Sequence, residues 1–267
     1  MEKEIGDRKL WLGVRPENYE INLQFENLNF ENKTKEEYPY YNGSVKIQFR
    51  CFEKTNRIAI NINKEALDIN LTTIKLQQNL SDLSICIQRI QIVKNSMILV
   101  LDQYLKPKSY YNLYISDFHA KTNLSENKGI FWSGTKDKQS WALHTFTQLR
   151  RARSVFPCMD HPALKSQFKL CLTYPKHLSS FSNTEMQSND SLGHLKKTCF
   201  KKTPYISTYL LAFYIVHNMI TETMVFRNGS NTTLQVISPA NWYSSFKWVL
   251  KDTEIILQKM QNLTNIN

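Results

Sequence analysis

Apolar and polar residues alternate through much of this chain. Near its start, Tyr19, Ile21, Leu23 and Phe25 are each separated by one polar residue, a spacing typical of a β-strand with one buried face. Similar short segments lie at 45–49, 58–62, 85–87, 90–93, 97–101, 110–115 and 168–172. Because turn residues separate these segments and no long helical period interrupts them, the pattern predicts a mainly β, sandwich-like fold.

Breaks in the alternation predict loops and turns. Residues 26–41 are polar and predict a loop, and the pair Asn42–Gly43 is typical of a hairpin turn. Residues 176–197 predict a hairpin with a loop. The continuous apolar run 209–216 favours a strand buried on both faces.

The pattern changes after position 225. A turn at 228–230 and a short strand at 233–237 precede a predicted helix that Ser238 or Asn241 caps. Seven residues with helical spacing, all but Thr253 apolar, then share one face: Trp242, Phe246, Val249, Leu250, Thr253, Leu257 and Met260. The sequence therefore predicts one amphipathic C-terminal helix.

Composition describes an ordinary globular protein. The 267 residues are 42% hydrophobic and 21% charged, and the formal net charge is +11. Lys and Arg are scattered along the chain, without an RNA-binding or helix-turn-helix pattern. We therefore expect a solvated basic surface and no nucleic-acid partner.

The five cysteines are widely spaced, with no C-x-x-C pair. This spacing excludes a zinc ribbon and a disulfide scaffold. One or two bridges stay open, and the odd total leaves at least one thiol free or paired between chains.

Localisation is left open by the sequence. The charged N-terminus lacks the apolar segment of a signal peptide, and no run approaches the ~18 apolar residues of a membrane span. Nine N-x-[S/T] sequons nevertheless hint at a secretory ancestry: Asn32, Asn42, Asn70, Asn79, Asn123, Asn189, Asn228, Asn231 and Asn262.

Four segments together resemble the aminopeptidase N family of zinc exopeptidases. Residues 152–168 are similar to its ARxxFPCfDePalKa.F signature, and residues 200–213 to F.kTP.mSTYLlAf. Residues 15–19 resemble the RPxxY opening, and residues 129–133 resemble GfYrS. All four lie in the family's N-terminal β domain, not in its catalytic domain.

The resemblance implies a saddle-like, multi-sheet β-sandwich followed by a short strand and the helix. It divides the chain into a charged tail at 1–10, an N-terminal β domain at 11–224, and a truncated start of the catalytic domain at 225–267. The resemblance, together with the sequons, implies an extracellular or membrane-associated location.

The family's catalytic motifs do not occur in this sequence. Its zinc is held through H-E-x-x-H, and a G-x-M-E-N loop grips the substrate amine; neither is present. The histidines are isolated along the chain: His119, His144, His161, His177, His194 and His217. We therefore expect no catalytic residue, metal or cofactor in this chain, zinc being the cofactor of the full-length family.

One substrate contact of the family falls within its N-terminal domain. Alignment from Ala152 and Arg153 places Gln148 where the family has a polar residue that binds the substrate's α-ammonium group. An amide oxygen can accept such a hydrogen bond. The family's second Gln is replaced by Phe146, and Gln148 is equally compatible with an ordinary loop amide.

The signature residues Arg153, Pro157, Asp160 and Pro162 are expected to be structural. An Arg–Asp pair beside a buried turn usually orients the backbone. His161 replaces the family's Glu between Asp160 and Pro162. Cys158 is expected to act as a small buried hydrophobe.

Three functions are compatible with this sequence. The first is a non-catalytic aminopeptidase N-like domain that at most contacts peptides or a partner chain. The second is a fragment of a functional zinc metalloaminopeptidase that removes N-terminal residues from peptides. The third is a protein-interaction module that uses the exposed apolar face of the helix at 242–260.

Overall fold

The computed structural model describes residues 13–28, 39–79, 83–122, 129–135, 139–226 and 232–265. In these residues β-strands form four sheets, and one α-helix follows them. The predicted mainly β fold with a C-terminal helix is therefore confirmed. The predicted tail at 1–10 and the turn at 228–230 lie outside the described residues, and the predicted domain boundaries stay predictions.

The largest sheet has nine strands. Its members are β1 (Val14–Gln24), β2 (Tyr40–Cys51), β4 (Leu67–Ile69), β5 (Ile74–Gln78), β6 (Ser84–Ile85), β9 (Tyr110–Lys121), β12 (Gln167–Pro175), β14 (Met186–Leu192) and β15 (Leu195–Phe200). They follow the order β14-β15-β12-β1-β2-β9-β5-β6, with β4 also paired to β9. The neighbours β1 and β12 run parallel, whereas the other pairs are antiparallel.

Three smaller sheets complete the β structure. The three-stranded sheet contains β3 (Thr55–Asn61), β8 (Ser96–Leu105) and β7 (Ile87–Val93), in that order. The four-stranded sheet contains β10 (Gly129–Gly134), β11 (Trp141–Phe146), β16 (Phe213–His217) and β13 (Ser179–Ser182), in that order. The hairpin of β17 (Met219–Phe226) and β18 (Thr232–Pro239) precedes α1 (Phe246–Thr264).

The chain separates into two compact units. One consists of the described residues within Met1–Ser133 and Leu143–Ile215, and the other of those within Gly134–Ala142 and Val216–Asn267. No helix in the described part of the chain has the length and apolar content needed to cross a bilayer.

Aromatic side chains form the centre of the first unit. Tyr19 of β1 is fully buried and stacks on Phe168 of β12, with ring centroids 4.9 Å apart. Phe25 stacks on Tyr41 at 5.0 Å, and the Tyr41 hydroxyl donates to the Val155 carbonyl at 2.8 Å. The alternation that begins at Tyr19 thus directs one face of β1 into the core.

The predicted turn at Asn42–Gly43 is wrong, because both residues lie inside β2. Gly43 is opposite Phe118 of β9, and a Cβ atom added at Gly43 would overlap the Phe118 ring. Glycine is needed here for a close side-chain approach and not for a turn. Tyr40 and Tyr41 also belong to this strand, although the polar composition predicted a loop.

The apolar run 209–216 is not a single buried strand. A 3₁₀ turn occupies Thr208–Leu210, and the strand begins only at Phe213. Leu210 and Tyr214 are 48% and 41% exposed. By contrast, the predicted hairpin within 176–197 is present, since β14 and β15 turn at Gly193.

The C-terminal helix begins later than predicted. Residues around Ser238 still belong to β18, and a 3₁₀ segment at Ala240–Ser245 separates them from α1. Of the predicted apolar face, Phe246 and Leu250 are buried, whereas Trp242 is largely exposed. Within α1 this face is therefore buried at Phe246 and Leu250 and exposed at Met260.

Candidate functional site

The signature segment 152–168 joins β11 to β12 and is largely buried. Midway along it, Cys158 forms a β-bridge with Asn61 of β3. The Asn61 amide N–H donates to the Cys158 carbonyl at 2.7 Å, and the Cys158 N–H donates to the Asn61 carbonyl at 3.2 Å. The segment is thereby attached to the three-stranded sheet.

A buried ion pair fixes the shape of this segment. Arg153 Nε donates to Asp160 Oδ2 at 3.0 Å, and the two side chains are 12% and 2% exposed. The Arg153 backbone N–H also donates to Oδ2, and Nη2 donates to the Asp160 carbonyl. Asp160 Oδ1 accepts from Thr208 Oγ1 at 2.8 Å. Because internal donors occupy both carboxylate oxygens, this pair orients the backbone and is shielded from any ligand.

The Asp160 carboxylate also connects the two long motifs. Thr208 lies in the second motif, at 200–213, while Asp160 lies in the first. A second link joins them nearby, where Ser207 Oγ donates to the Pro162 carbonyl at 2.6 Å. The two stretches of sequence that most resemble the family are therefore parts of one hydrogen-bonded structure.

The other signature residues have local contacts. Pro157 is buried, while Pro162 is exposed in the turn that follows Asp160. His161, which replaces the family's Glu, accepts the Ala163 N–H on its Nδ1 atom at 3.2 Å. This imidazole therefore caps a short turn.

The Cys158 thiol is chemically protected. Its side chain is fully buried, and burial raises the thiol pKa well above 9.0. Since the thiolate is the nucleophile, a buried thiol with a raised pKa is unreactive at neutral pH. The neighbouring Met159 N–H donates to the hydroxyl of buried Tyr19 at 3.1 Å.

One disulfide is present in the described part of the chain. It joins Cys171 of β12 to Cys199 of β15, which are directly paired in the sheet. Cys51 and Cys158 are buried free thiols, and Cys86 is an exposed free thiol. The structure thus contains one of the one or two bridges that the sequence left open.

Gln148 lies in a tight, ordered turn directly after β11. The Arg151 N–H donates to the Thr147 carbonyl at 3.1 Å and closes this turn. Leu149 and Arg150 adopt left-handed backbone conformations, with φ of 53° and 65°. Such conformations are uncommon for residues other than glycine and are often found at functional sites.

The turn at 147–151 is fixed at Thr147 and exposed to solvent at the two residues that follow. Thr147 is buried, and its hydroxyl is within hydrogen-bonding distance of the Tyr209 carbonyl (2.9 Å) and the Leu211 carbonyl (3.2 Å). Gln148 and Leu149, in contrast, are exposed. Gln148 is therefore exposed to solvent, while the backbone of its turn is held in place by Thr147.

An aromatic cluster on the four-stranded sheet was not predicted. The His144 ring of β11 lies 4.0 Å from the Phe131 ring and 5.4 Å from the Tyr214 ring, measured between centroids. Its Nε2 atom is buried and has no hydrogen-bond partner among the described residues. Burial lowers the pKa of His144, so the imidazole is neutral at pH 7.

Of this cluster, His144 lies on β11, the strand that leads to Gln148. Phe146, two residues before Gln148, is partly exposed, and the Arg151 guanidinium lies 5.5 Å from its ring centroid. The exposed amide oxygen of Gln148 can accept a hydrogen bond from a protonated amine. Arg150 and Arg151 place positive charge in the same turn, which weakens binding of a cation.

The described residues do not supply a zinc site. No group of three or more His, Cys, Asp or Glu side chains in the described ranges is close enough to hold a metal ion. All six histidines lie in those ranges, and each is on a different element or loop. The donor set thus does not fit the metal that the family uses.

Five of the nine sequons lie in described residues. Asn42, Asn70, Asn189 and Asn262 are exposed, and Asn79 is half-buried. The remaining four, Asn32, Asn123, Asn228 and Asn231, lie outside the described residues.

Comparison with known proteins gives a consistent picture. The family model described as the peptidase M1 N-terminal domain matches residues 15–210. Aminopeptidase 2 of Candida albicans is 29% identical over 208 residues, which is 76% of this chain and 20% of that protein. Aminopeptidase N of Canis lupus familiaris is 29% identical over 189 residues, covering 66% of this chain and 19% of that protein.

Aminopeptidase Q of Homo sapiens is 33% identical over 179 residues, covering 64% of this chain and 18% of that protein. The chain thus spans about a fifth of the length of these relatives. The matched region contains the Arg153–Asp160 pair and the Gln148 turn. The chain belongs to the peptidase M1 family, whose N-terminal domain it contains.

Proposed function

We propose that this chain is a non-catalytic aminopeptidase N-like N-terminal domain that contributes to the binding of peptides or of a partner protein. The observation that supports this most is the exposed Gln148 amide on an anchored turn within the matched domain. The sequence itself contains neither H-E-x-x-H nor G-x-M-E-N. A peptide hydrolase of this family needs a zinc ion and an activated water, and H-E-x-x-H is the motif that supplies the zinc ligands and the base.

In this proposal Gln148 contacts the free N-terminus of a peptide. Its amide oxygen accepts one ammonium hydrogen, while the partly exposed rings of Phe146 and Tyr214 offer apolar surface to the first side chain. Arg150 and Arg151 oppose the ammonium charge. Because a single hydrogen bond contributes only about 0.5–3 kcal/mol, we expect an affinity no tighter than roughly millimolar.

Peptide titration followed by NMR tests this binding mode. A peptide with a free N-terminus should shift the Gln148 side-chain amide signals, and the same peptide with an acetylated N-terminus should not. Gln148→Ala should abolish the shifts of the neighbouring turn, whereas Gln103→Ala, at another exposed glutamine, should preserve them. Equal responses to both peptides would contradict the proposed amine contact.

Hydrolysis is tested separately. The purified chain should release no fluorophore from a panel of aminoacyl fluorogenic substrates, with or without added zinc. Turnover that a chelator removes would overturn the non-catalytic assignment, because the metal ligands would then have to come from residues placed here in structural roles.

A second candidate is that the chain is part of a functional zinc metalloaminopeptidase. It is favoured by the fact that the matched relatives are named aminopeptidases and are about five times as long as the matched region. In that longer protein, Gln148→Ala should raise KM for substrates with a free N-terminus much more than it lowers kcat. An unchanged KM would remove Gln148 from the substrate site.

A third candidate is protein interaction through α1. Trp248, Ile256 and Leu263 are 59%, 57% and 85% exposed on this helix. Exposed apolar surface of this kind favours association. Light scattering should then show complexes that Trp248→Lys with Ile256→Lys disperses, and a monodisperse monomer at high concentration would count against this candidate.

A further inference from the structure

The outer face of the nine-stranded sheet has a regular pattern of side chains. A fully buried row crosses five strands and defines the core side: Phe168, Tyr19, Ile47, Leu113 and Leu76. Since side chains alternate along each strand, the adjacent rows lie on the opposite face. Those rows are polar, basic and aromatic.

Two complete rows follow from the strand register. The first consists of amides: Gln167, Asn18, Gln48, Asn112 and Gln77. The second is mainly charged: Lys169, Glu20, Lys46, Tyr114 and Lys75. At about 4.8 Å between strands, each row extends roughly 19 Å across the sheet.

Positive charge predominates on this face, which we name the basic sheet face. Its cations are Arg15, Lys46, Arg50, Lys75, Lys169 and Lys202, and the acid within its rows is Glu20. Glu20 accepts a hydrogen bond from Lys46 at 3.0 Å. No carboxylate in the described part of the chain pairs with the other cations of this face.

A small depression lies between the two rows. Its volume is about 80 Å³, and its lining residues are Asn18, Glu20, Lys46, Gln48 and Lys202. The Lys202 ammonium donates to Asn18 Oδ1 at 3.1 Å, and Asn18 Nδ2 donates to Gln48 Oε1 at 2.7 Å. Two ammonium groups therefore border a space lined with two amides and the Glu20 carboxylate.

The aromatic rings of this face are already covered by its own cations. Arg50 lies over both Phe52 and Tyr110, with its guanidinium carbon 5.1 and 5.6 Å from the ring centroids. Lys46 lies 5.8 Å from the Tyr114 centroid. Single-stranded nucleic acids depend on open aromatic faces for base stacking, whereas Arg50 and Lys46 already lie over these rings.

We propose that the basic sheet face binds a sulfated polysaccharide. Sulfate groups would pair with the Lys and Arg side chains through charge-assisted hydrogen bonds, and the half-buried amides of the first row would bond to sugar hydroxyls, namely Asn18, Gln48, Gln77 and Gln167. The Cys171–Cys199 disulfide supports this choice of polyanion, because disulfides persist in the oxidising compartments through which extracellular glycans pass. This surface is separate from the Gln148 turn.

Calorimetric titration of the whole chain with a heparin oligosaccharide tests the proposal. The protein is best made in the bacterial periplasm, where the disulfide forms and N-glycans at Asn42 and Asn79 are absent. The test variant combines Lys75→Gln, Lys169→Gln and Lys202→Gln. The control variant combines Lys64→Gln, Lys176→Gln and Lys251→Gln, at exposed positions that do not belong to these rows.

Both variants have a formal net charge of +8, since three positive charges are removed from +11. We expect the test variant to bind at least about tenfold more weakly than the wild type, and the control to bind nearly as well. Glu20→Gln should strengthen binding, because it removes the acid from the depression. Glu20→Gln also provides a test of the proposal if the triple substitution disturbs folding.

Each other outcome overturns the proposal. No heparin binding by the wild type would do so, as would equal weakening in the test and control variants, which would indicate a response to net charge alone. Unchanged or weaker binding by Glu20→Gln would contradict the assigned position. A single-stranded RNA of similar charge that binds more tightly than heparin would assign the face to nucleic acid.

Discussion

Asp160 connects more of the structure than any other side chain of the signature segment. Its two carboxylate oxygens accept from Arg153 and Thr208, and its backbone N–H donates to Asn61 Oδ1 at 2.9 Å. These partners belong to three separate stretches of the chain. Burial makes each of these bonds costly to lose, because an unpaired buried group has no water to replace its partner.

Asp160→Asn should therefore lower the free energy of unfolding by roughly 3 kcal/mol, since it leaves the Arg153 guanidinium without its counter-charge in a buried setting. Urea denaturation followed by tryptophan fluorescence measures this change. Glu20→Gln is the matched control, because the Glu20–Lys46 pair has the same 3.0 Å separation but is exposed. It should change stability by less than about 1 kcal/mol. Equal losses would show that burial is not the determining factor.

Gly43 shows how one position determines the geometry of two strands. Its lack of a side chain lets the Phe118 ring of β9 occupy the space that a Cβ at Gly43 would fill, at a point where the register shifts. Gly43→Ala should destabilise the fold by about 1–3 kcal/mol, as overpacking in a core usually does. The midpoint of thermal unfolding should fall accordingly.

A double-mutant cycle separates this clash from other effects of alanine. Phe118→Leu alone should destabilise the protein by leaving a cavity. If the ring overlap is the cause, combining it with Gly43→Ala should cost less than the sum of the two single changes. Simple additivity would place the effect of Gly43→Ala elsewhere.

The elements that sequence reasoning predicted correctly are those whose pattern is local. Alternation at Tyr19–Phe25 reflects a strand with one buried face, and it holds wherever a strand has one core side. Asn42–Gly43 misled because the same dipeptide suits a hairpin turn and a close side-chain approach, and only the distant Phe118 distinguishes them. The run 209–216 misled because apolar composition does not show which side chains the neighbouring strands leave exposed.

In the candidate site, too, the features that the sequence predicted are local ones. Gln148 could be identified from the sequence, because its position is defined by its spacing from Ala152 and Arg153 of the signature motif. The cluster of Phe131, His144 and Tyr214 comes from three strands, and Tyr214 is far from the other two residues in sequence, so no local spacing marks it. The Arg153–Asp160 contact could be predicted from the sequence, because both residues lie in one short motif.

At the scale of the whole molecule, buried ionisable groups determine how stability depends on pH. Burial raises the pKa of the Cys158 thiol above 9.0 and that of the Tyr41 hydroxyl above 10.0. For these acids the unfolded chain ionises first, so their stabilising contribution is complete below the unfolded pKa. It is lost as the pH rises from there towards the raised folded value. Stability should therefore fall above about pH 8.5, where unfolded thiols ionise.

His144 should make stability fall on the acidic side of the pH range. Burial lowers its folded pKa below 6.5, so the unfolded chain binds the proton more readily. Its contribution is present above the unfolded pKa and is lost as the pH falls from about 6.5 towards the folded value. The change should be smaller than the ~1.4 kcal/mol per pH unit of one fully buried group, because His144 is only half-buried.

Urea midpoints at pH 7.5 and pH 5 test this assignment. The wild type should lose stability between the two, and His144→Leu, which preserves the apolar contacts with Phe131 and Tyr214, should lose less. His194→Gln, at an exposed histidine, should follow the wild type. If His144→Leu loses as much stability as the wild type between these pH values, the loss arises from other groups. Burial of the His144 imidazole would then not be what makes the fold sensitive to acid.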